Sequence, residues 1–135
     1  MLLHLLLGAF AMPETFQVDR VWQGRIEIDE STCMSGDVTL LLEEPAEDGT
    51  VRGNYLYESD RKTGGATYRA NYVVEGEWDG DTLTMKQVGL EVVHDSATTT
   101  WRSGHFDLTV RGDALYGRWT SFDSPCAGSL DLVEQ

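Results

Sequence analysis

The feature that most constrains the fold of this chain is a two-residue alternation of apolar and polar side chains in short segments bounded by glycine and aspartate. Helical spacing of apolar residues is nearly absent, whereas β-branched and aromatic residues are frequent in the alternating segments. The pattern therefore predicts strands that bury one face and expose the other. The predicted strands cover residues 20–29, 36–43, 50–58, 67–77, 81–88, 101–110, 114–121 and 127–133.

The alternation also predicts which side chains point inward. The polar face, which includes Arg25, Asn71 and Arg118, is expected to be solvated. The apolar set is expected to form one core, and it comprises Trp22, Ile26, Ile28, Val38, Leu40, Leu42, Val51, Tyr55, Tyr57, Tyr68, Ala70, Tyr72, Val74, Leu83, Met85, Phe106, Leu108, Val110, Leu115, Trp119, Leu130 and Leu132.

The connections between the predicted strands are short. Asp79-Gly80 and Gly112-Asp113 are typical of tight hairpin turns, where a positive φ suits glycine, asparagine or aspartate. Eight consecutive strands joined in this way most simply close into an antiparallel up-and-down barrel, which leaves no exposed edge. We therefore predict an all-β, eight-stranded barrel, and a two-sheet sandwich is the competing architecture.

The two cysteines, Cys33 and Cys126, show no spacing typical of zinc ligands. In a meander of eight strands, the first and last turns lie at the same end, and closure makes the first and last strands neighbours. Cys33 falls in the first of these turns and Cys126 in the last, so we predict a disulfide that closes the barrel; two reduced thiols are the alternative. The longest connections, 59–66 and 89–100, share this end and predict an open mouth there.

Residues 1–11 read MLLHLLLGAFA, which is too short to span a bilayer. The segment is typical of the apolar region of a secretory signal and ends in Ala-Phe-Ala, a cleavage-site pattern. Residues 12–135 then form a single barrel domain, secreted or periplasmic. The alternative is a short apolar segment that packs on the domain or on a neighbour.

The charge restricts the partners. The chain has 10 Lys and Arg against 23 Asp and Glu, a net charge of −13. Nucleic acid and anionic membrane surfaces both require a basic face, so the composition argues against them. A basic protein partner, or solubility alone, accounts for the acidic balance.

Two groups of aromatic residues are candidates for a binding site. Tyr55, Tyr57, Tyr68 and Tyr72 are predicted on the inner face of the third and fourth strands, where they either line a polar pocket or fill the core. Trp101, Arg102 and Trp119 are predicted at or near the cysteine end, where indole rings and a guanidinium offer stacking and cation–π contacts. The alternative for this second group is a rim that covers the core.

Short motifs along the chain resemble those of a known group of proteins. In order they are Trp22-Gln23-Gly24, Gly-Thr-Val-Arg-Gly at 49–53, Leu-Tyr-Gly-Arg-Trp at 115–119 and Cys-Ala-Gly-Ser-Leu at 126–130. The chain resembles small bacterial calycin-like barrels of unassigned function, a group that is similar to lipocalins and avidins.

Residues 94–104 are similar to the Ser/Thr-rich loop of avidins that leads into a biotin-contacting tryptophan. This resemblance implies a site at Tyr57, Ser59, Ser96, Thr99, Trp101 and Trp119. The chain departs from the avidin pattern in its first strand, which lacks the Gly-x-Trp-x-Asn motif, and at Met85, which stands where a third tryptophan is expected.

No motif predicts catalysis, a metal or a cofactor. His94, Asp95 and Ser96 are the residue types of a catalytic triad, but consecutive residues rarely point at one centre. The acidic turn at 43–48 lacks the ligand spacing of a calcium loop.

We therefore predict a secreted, non-enzymatic binding module that takes a small ligand at its open end or a protein partner. The alternatives are a filled structural barrel that serves as a subunit of a larger assembly, an acidic inhibitor of a basic enzyme, and biotin binding. An oligomer is compatible with each of them.

Overall fold

The computed structural model describes residues 17–29, 33–60, 67–95 and 101–135, and the predicted signal-like segment 1–11 lies outside them. In these residues the chain forms a closed antiparallel barrel in which each strand pairs with the next and the last pairs with the first. The strands are β1 (Arg20–Ile28), β2 (Gly36–Leu42), β3 (Thr50–Ser59), β4 (Tyr68–Trp78), β5 (Thr82–Asp95), β6 (Gly104–Arg111), β7 (Ala114–Ser121) and β8 (Ala127–Glu134).

The all-β, up-and-down barrel prediction is confirmed, and the two-sheet sandwich is wrong. Closure is made by β1 and β8, which pair over seven residues that include Ile26 opposite Leu130. No helix in the described residues is long and apolar enough to cross a membrane.

The inward face of the barrel is the apolar set that the alternation predicts. Most of these side chains are buried, and Trp22, Leu40 and Phe106 are among the largest that are fully enclosed. Ile28, Tyr57 and Val110 are only partly buried and pack against the same cluster. Since one face of every strand contributes to this cluster, the interior is a packed hydrophobic core.

β5 is longer than predicted. It was expected to end near residue 88 but pairs with β4 as far as Asp95, with register shifts opposite Arg69/Ala70 and Val73/Val74. β6 begins at Gly104 rather than at 101 and pairs with β5 only between Thr82 and Lys86. The expected long connection at 89–100 is therefore wrong for residues 89–95, which continue the strand.

The two ends of the barrel differ. At one end, which we call the turn rim, the hairpins at 43–49, 79–81 and 112–113 meet residues 17–19 and 134–135. Backbone hydrogen bonds link these turns, from Trp78 to Gly49 and from Val110 to Asp81, each at 2.8 Å. At the other end, the disulfide end, Cys33 and Cys126 are bonded with a Cα–Cα distance of 6.2 Å, which confirms the predicted disulfide.

Candidate functional site

Four of the predicted site residues form the tyrosine cluster inside the barrel. Tyr55 pairs with Tyr72 across β3 and β4, and their ring centroids lie 6.0 Å apart. Tyr55 also packs on Phe106 at 4.9 Å. Tyr55, Tyr68 and Tyr72 are buried and Tyr57 is half-buried, so the structure places all four on the inner face, as predicted.

The hydroxyls of the cluster bind the connections at the disulfide end. Tyr57 donates to the carbonyl of Met34 at 2.6 Å, and Tyr72 donates to the carbonyl of Arg102 at 2.9 Å. Burial raises the pKa of both hydroxyls, and of Tyr55, well above the ordinary value. Burial therefore favours the neutral form of all three hydroxyls, and those of Tyr57 and Tyr72 hold loop backbone against the barrel.

Residues 101–103, which we call the strap, lie over the tyrosine cluster. The half-buried ring of Trp101 meets Tyr68 edge to face, with centroids 5.9 Å apart, and its N–H donates to Asp95 at 3.1 Å. The Arg102 guanidinium lies 3.7 Å from the carboxylate of Asp123. Trp101 and Arg102 are therefore at the disulfide end, as predicted, and each already has a partner within the chain.

Trp119 is buried beside a residue that the sequence reading missed. Its indole N–H donates to the side-chain carbonyl of Gln87 at 2.9 Å, and the same oxygen accepts the Gly104 N–H at 2.6 Å. Gln87 continues the inward series of Leu83 and Met85 at two-residue spacing, which was the only signal for its burial. Of the remaining predicted site residues, Ser59 is buried and its hydroxyl accepts the Tyr68 N–H at 2.9 Å, whereas Ser96 and Thr99 lie outside the described residues.

A second unpredicted arrangement covers the core at the turn rim. The Arg20 guanidinium lies over the rings of Trp22 and Trp78, at 4.7 and 5.0 Å from their centroids. Its Nε and one terminal nitrogen each donate to the Glu134 carboxylate at 2.8 Å, which lowers the pKa of Glu134. This contact joins β1 to β8 and shields the tryptophan rings from water.

The described residues hold no group of three or more metal-ligating side chains. A groove of about 370 Å³ lies at the turn rim against residues 17–19, Glu43 and Glu44. None of the predicted aromatic site residues lines it. Every buried side-chain polar atom in the described residues has a hydrogen-bond partner.

β5 has an exposed apolar edge beyond the residues that pair with β6. We call residues 88–94 the free β5 edge, because they pair with β4 on one side while the pairing with β6 stops at Lys86. Four of the seven large apolar side chains that are exposed in the described residues lie on this edge. They are Val88 at 46%, Leu90 at 43%, Val92 at 43% and Val93 at 56% exposure.

Comparison with known protein families gave no match, and neither did comparison with curated proteins.

Proposed function

We propose that this chain is a non-enzymatic interaction module that binds protein through its surface, as a subunit of a larger assembly. The proposal includes a calycin-like classification of the barrel and a secreted or periplasmic location. The Cys33–Cys126 disulfide supports that location, because such bonds persist in oxidising compartments.

The packed interior favours a surface function over a carrier function. An eight-stranded barrel is just wide enough either to be filled by its own side chains or to hold one small ligand. Here Tyr55 packs against Tyr72 and Phe106 within the core. The polar atoms of Tyr57, Tyr72 and Trp119 that would orient a ligand already bond to the chain itself.

The observation that carries the proposal is the free β5 edge. Exposed strand edges are normally shortened, covered or protected by charge, because they pair readily with other chains. This edge instead presents valine and leucine side chains, and exposed apolar patches mark protein contact sites.

Native mass spectrometry of the protein purified from its own source tests the proposal. We expect the intact barrel to retain at least one further protein subunit, and we expect Val92→Lys to release it. Val133→Lys is the matched control, because Val133 is 45% exposed but lies on β8, which is paired on both sides. A single chain that carries only a co-purifying small molecule would contradict the proposal.

A small ligand at the disulfide end is the second candidate, and biotin belongs to this class. The observation that favours it is the half-buried aromatic and cationic rim formed by Tyr57, Trp101 and Arg102. In that case Tyr57→Phe combined with Arg102→Ala would remove the small mass, whereas Val92→Lys would leave it bound.

A further inference from the structure

We infer that the free β5 edge pairs with the same edge of a second copy of this chain. The two edges would run antiparallel about a two-fold axis, with Leu90 opposite Leu90 of the partner subunit. This inference rests on the proposed function and deepens it by naming the partner and the register.

The edge has backbone groups available for pairing. Within the described part of the chain, the backbone of residues 88–94 shows no hydrogen bond outside its ladder with β4. Its sequence, Val-Gly-Leu-Glu-Val-Val-His, contains neither lysine nor proline, the residues that most often protect an edge. A strand added here would continue the sheet past the point where β6 departs.

The side chains of the edge fit a second copy in one register. Leu90 and Val92 are opposite Tyr72 and Ala70 in β4, so they share one face, whereas Glu91 is opposite Asn71 and lies on the other face. Two-fold pairing about Leu90 places Val88 opposite Val92 of the partner subunit. Glu91 then meets Gly89 of the partner subunit. Pairing about Glu91 would instead oppose two carboxylates, which is unfavourable.

The distribution of charge allows two copies of this strongly acidic chain to come together at the free β5 edge. The turn rim holds many of the carboxylates, namely Asp19, Glu43, Glu44, Glu47, Asp48, Asp79, Asp81, Asp113 and Glu134.

The free β5 edge carries Glu91 as its single acid, and Asp95, which follows the edge, accepts the Trp101 N–H. Eight residues of strand separate Leu90 from Thr82 at the turn rim, a distance of about 27 Å at the usual rise per residue. Antiparallel pairing directs the two rims in opposite directions, many Debye lengths apart at a screening length of about 8 Å. For the same reason a basic peptide would find few carboxylates here, so a second copy is the better occupant.

The size of the contact predicts a weak dimer. Four half-exposed apolar side chains per copy, with one short strand pair, bury less than the roughly 1,600 Å² of a standard interface. We therefore expect a dissociation constant of about 1 μM or higher, so that the dimer forms as the protein is concentrated.

Sedimentation velocity of the full chain, from about 1 μM to 1 mM, tests the association. We expect the wild-type chain and Val133→Lys to shift together from monomer to dimer. In a dimer of the Val92→Lys variant, a lysine of each copy would face Val88 of the partner subunit in place of a valine. We therefore expect a dissociation constant at least about tenfold higher. A wild-type chain that stays monomeric throughout, or a Val92→Lys variant that dimerises as well as Val133→Lys, would overturn the inference.

Cysteine cross-linking tests the register. The wild-type chain has no free thiol, because its two cysteines are bonded to each other. Directly opposed residues in an antiparallel pair have Cα atoms about 4.5–5.5 Å apart, within reach of a disulfide. We expect Leu90→Cys to form a covalent dimer under mild oxidation. Glu91→Cys, which faces a glycine, should form far less, and the reverse order would refute the register.

The cross-link also separates the two proposals. If residues 1–16 or a foreign strand occupies the edge, Leu90→Cys gives no covalent homodimer and the inference fails. Retention of a foreign subunit that Val92→Lys releases would then still support the proposed function. If the protein forms no dimer and also retains no foreign subunit, both proposals are refuted.

Discussion

The buried side-chain carbonyl of Gln87 on β5 accepts the indole N–H of Trp119 on β7 at 2.9 Å, at the seam where the pairing of β5 with β6 stops. The same oxygen accepts the Gly104 N–H at 2.6 Å. The β5–β6 ladder ends one residue earlier, at the pair of Lys86 and His105. A side chain therefore supplies the next acceptor at the point where the backbone ladder stops, and this keeps the barrel closed while β5 continues as an edge.

Replacement of Gln87 by leucine should be strongly destabilising. The change keeps an inward side chain of similar size but leaves the donors of Trp119 and Gly104 without their acceptor. An unsatisfied buried donor costs about 1–3 kcal/mol, so we expect Gln87→Leu to lower the free energy of unfolding by about 2–4 kcal/mol. Urea unfolding measures this, and Gln23→Leu on the exposed face of β1 is the matched control. Equal losses in the two variants would argue against a special role for the seam.

The Cys33–Cys126 disulfide should contribute a large part of the stability. The bond joins residues 93 positions apart, and the chain-entropy argument for a loop of this length gives about 4–5 kcal/mol. The double variant Cys33→Ala/Cys126→Ala should therefore unfold at much lower urea concentration. Reductant should shift the wild-type curve toward that of the variant and leave the variant unchanged. A loss below about 1 kcal/mol would show that closure by β1 and β8 does not depend on the bond.

The strands were predictable because their alternation and turn residues agree. Leu40 and Phe106 are buried where two-residue spacing places them, and Gly80 and Gly112 adopt a positive φ in the tight turns. The extension of β5 was not predictable in this way. Residues 88–93 read Val-Gly-Leu-Glu-Val-Val, so the alternation breaks at Val92 and Val93, and the two register shifts change which face each residue occupies.

The sequence predicts which side chains of the candidate site lie inside the barrel, but it does not predict their hydrogen-bond partners. Alternation places Tyr57 and Tyr72 inside, yet their acceptors are the carbonyls of Met34 and Arg102, in connections whose path depends on tertiary packing. The same holds for Gln87, since its partner Trp119 is 32 residues away in sequence. Sequence spacing carries no information about such pairs.

Acid should weaken the fold in part through Arg25. Its guanidinium donates to Asp60 at 2.7 and 2.9 Å and to Glu27 at 2.8 Å, and these bonds lower the pKa of both carboxyls. A carboxyl whose pKa is lowered in the folded state stabilises the fold at pH values above the ordinary carboxyl pKa near 4. This contribution is lost as the pH falls through the lowered pKa.

Urea unfolding at several pH values would measure this contribution in an Arg25→Gln variant. We expect the variant to be less stable than the wild type at pH 6 and to approach it as the pH falls through the lowered pKa values of Glu27 and Asp60, where the carboxyls of both proteins become protonated. Arg111→Gln removes the same charge from a guanidinium that lies over the Tyr116 ring, and it is the control. A constant difference between Arg25→Gln and wild type at all pH values would contradict the assignment.

Alkali should weaken the fold through the tyrosine cluster. Burial raises the pKa of Tyr55, Tyr57 and Tyr72, whereas the same groups in the unfolded chain ionise near pH 10. The stability that follows from keeping them neutral is present below pH 10 and is lost above it, because only the unfolded chain then releases these protons.

Tyr57→Phe should be about 1 kcal/mol less stable at pH 8, since it loses the bond to Met34, but should lose stability less steeply above pH 10. Urea unfolding, combined with phenolate absorbance of the folded protein, measures both effects. Ionisation of all five tyrosines near pH 10 without unfolding would show that the cluster is open to water.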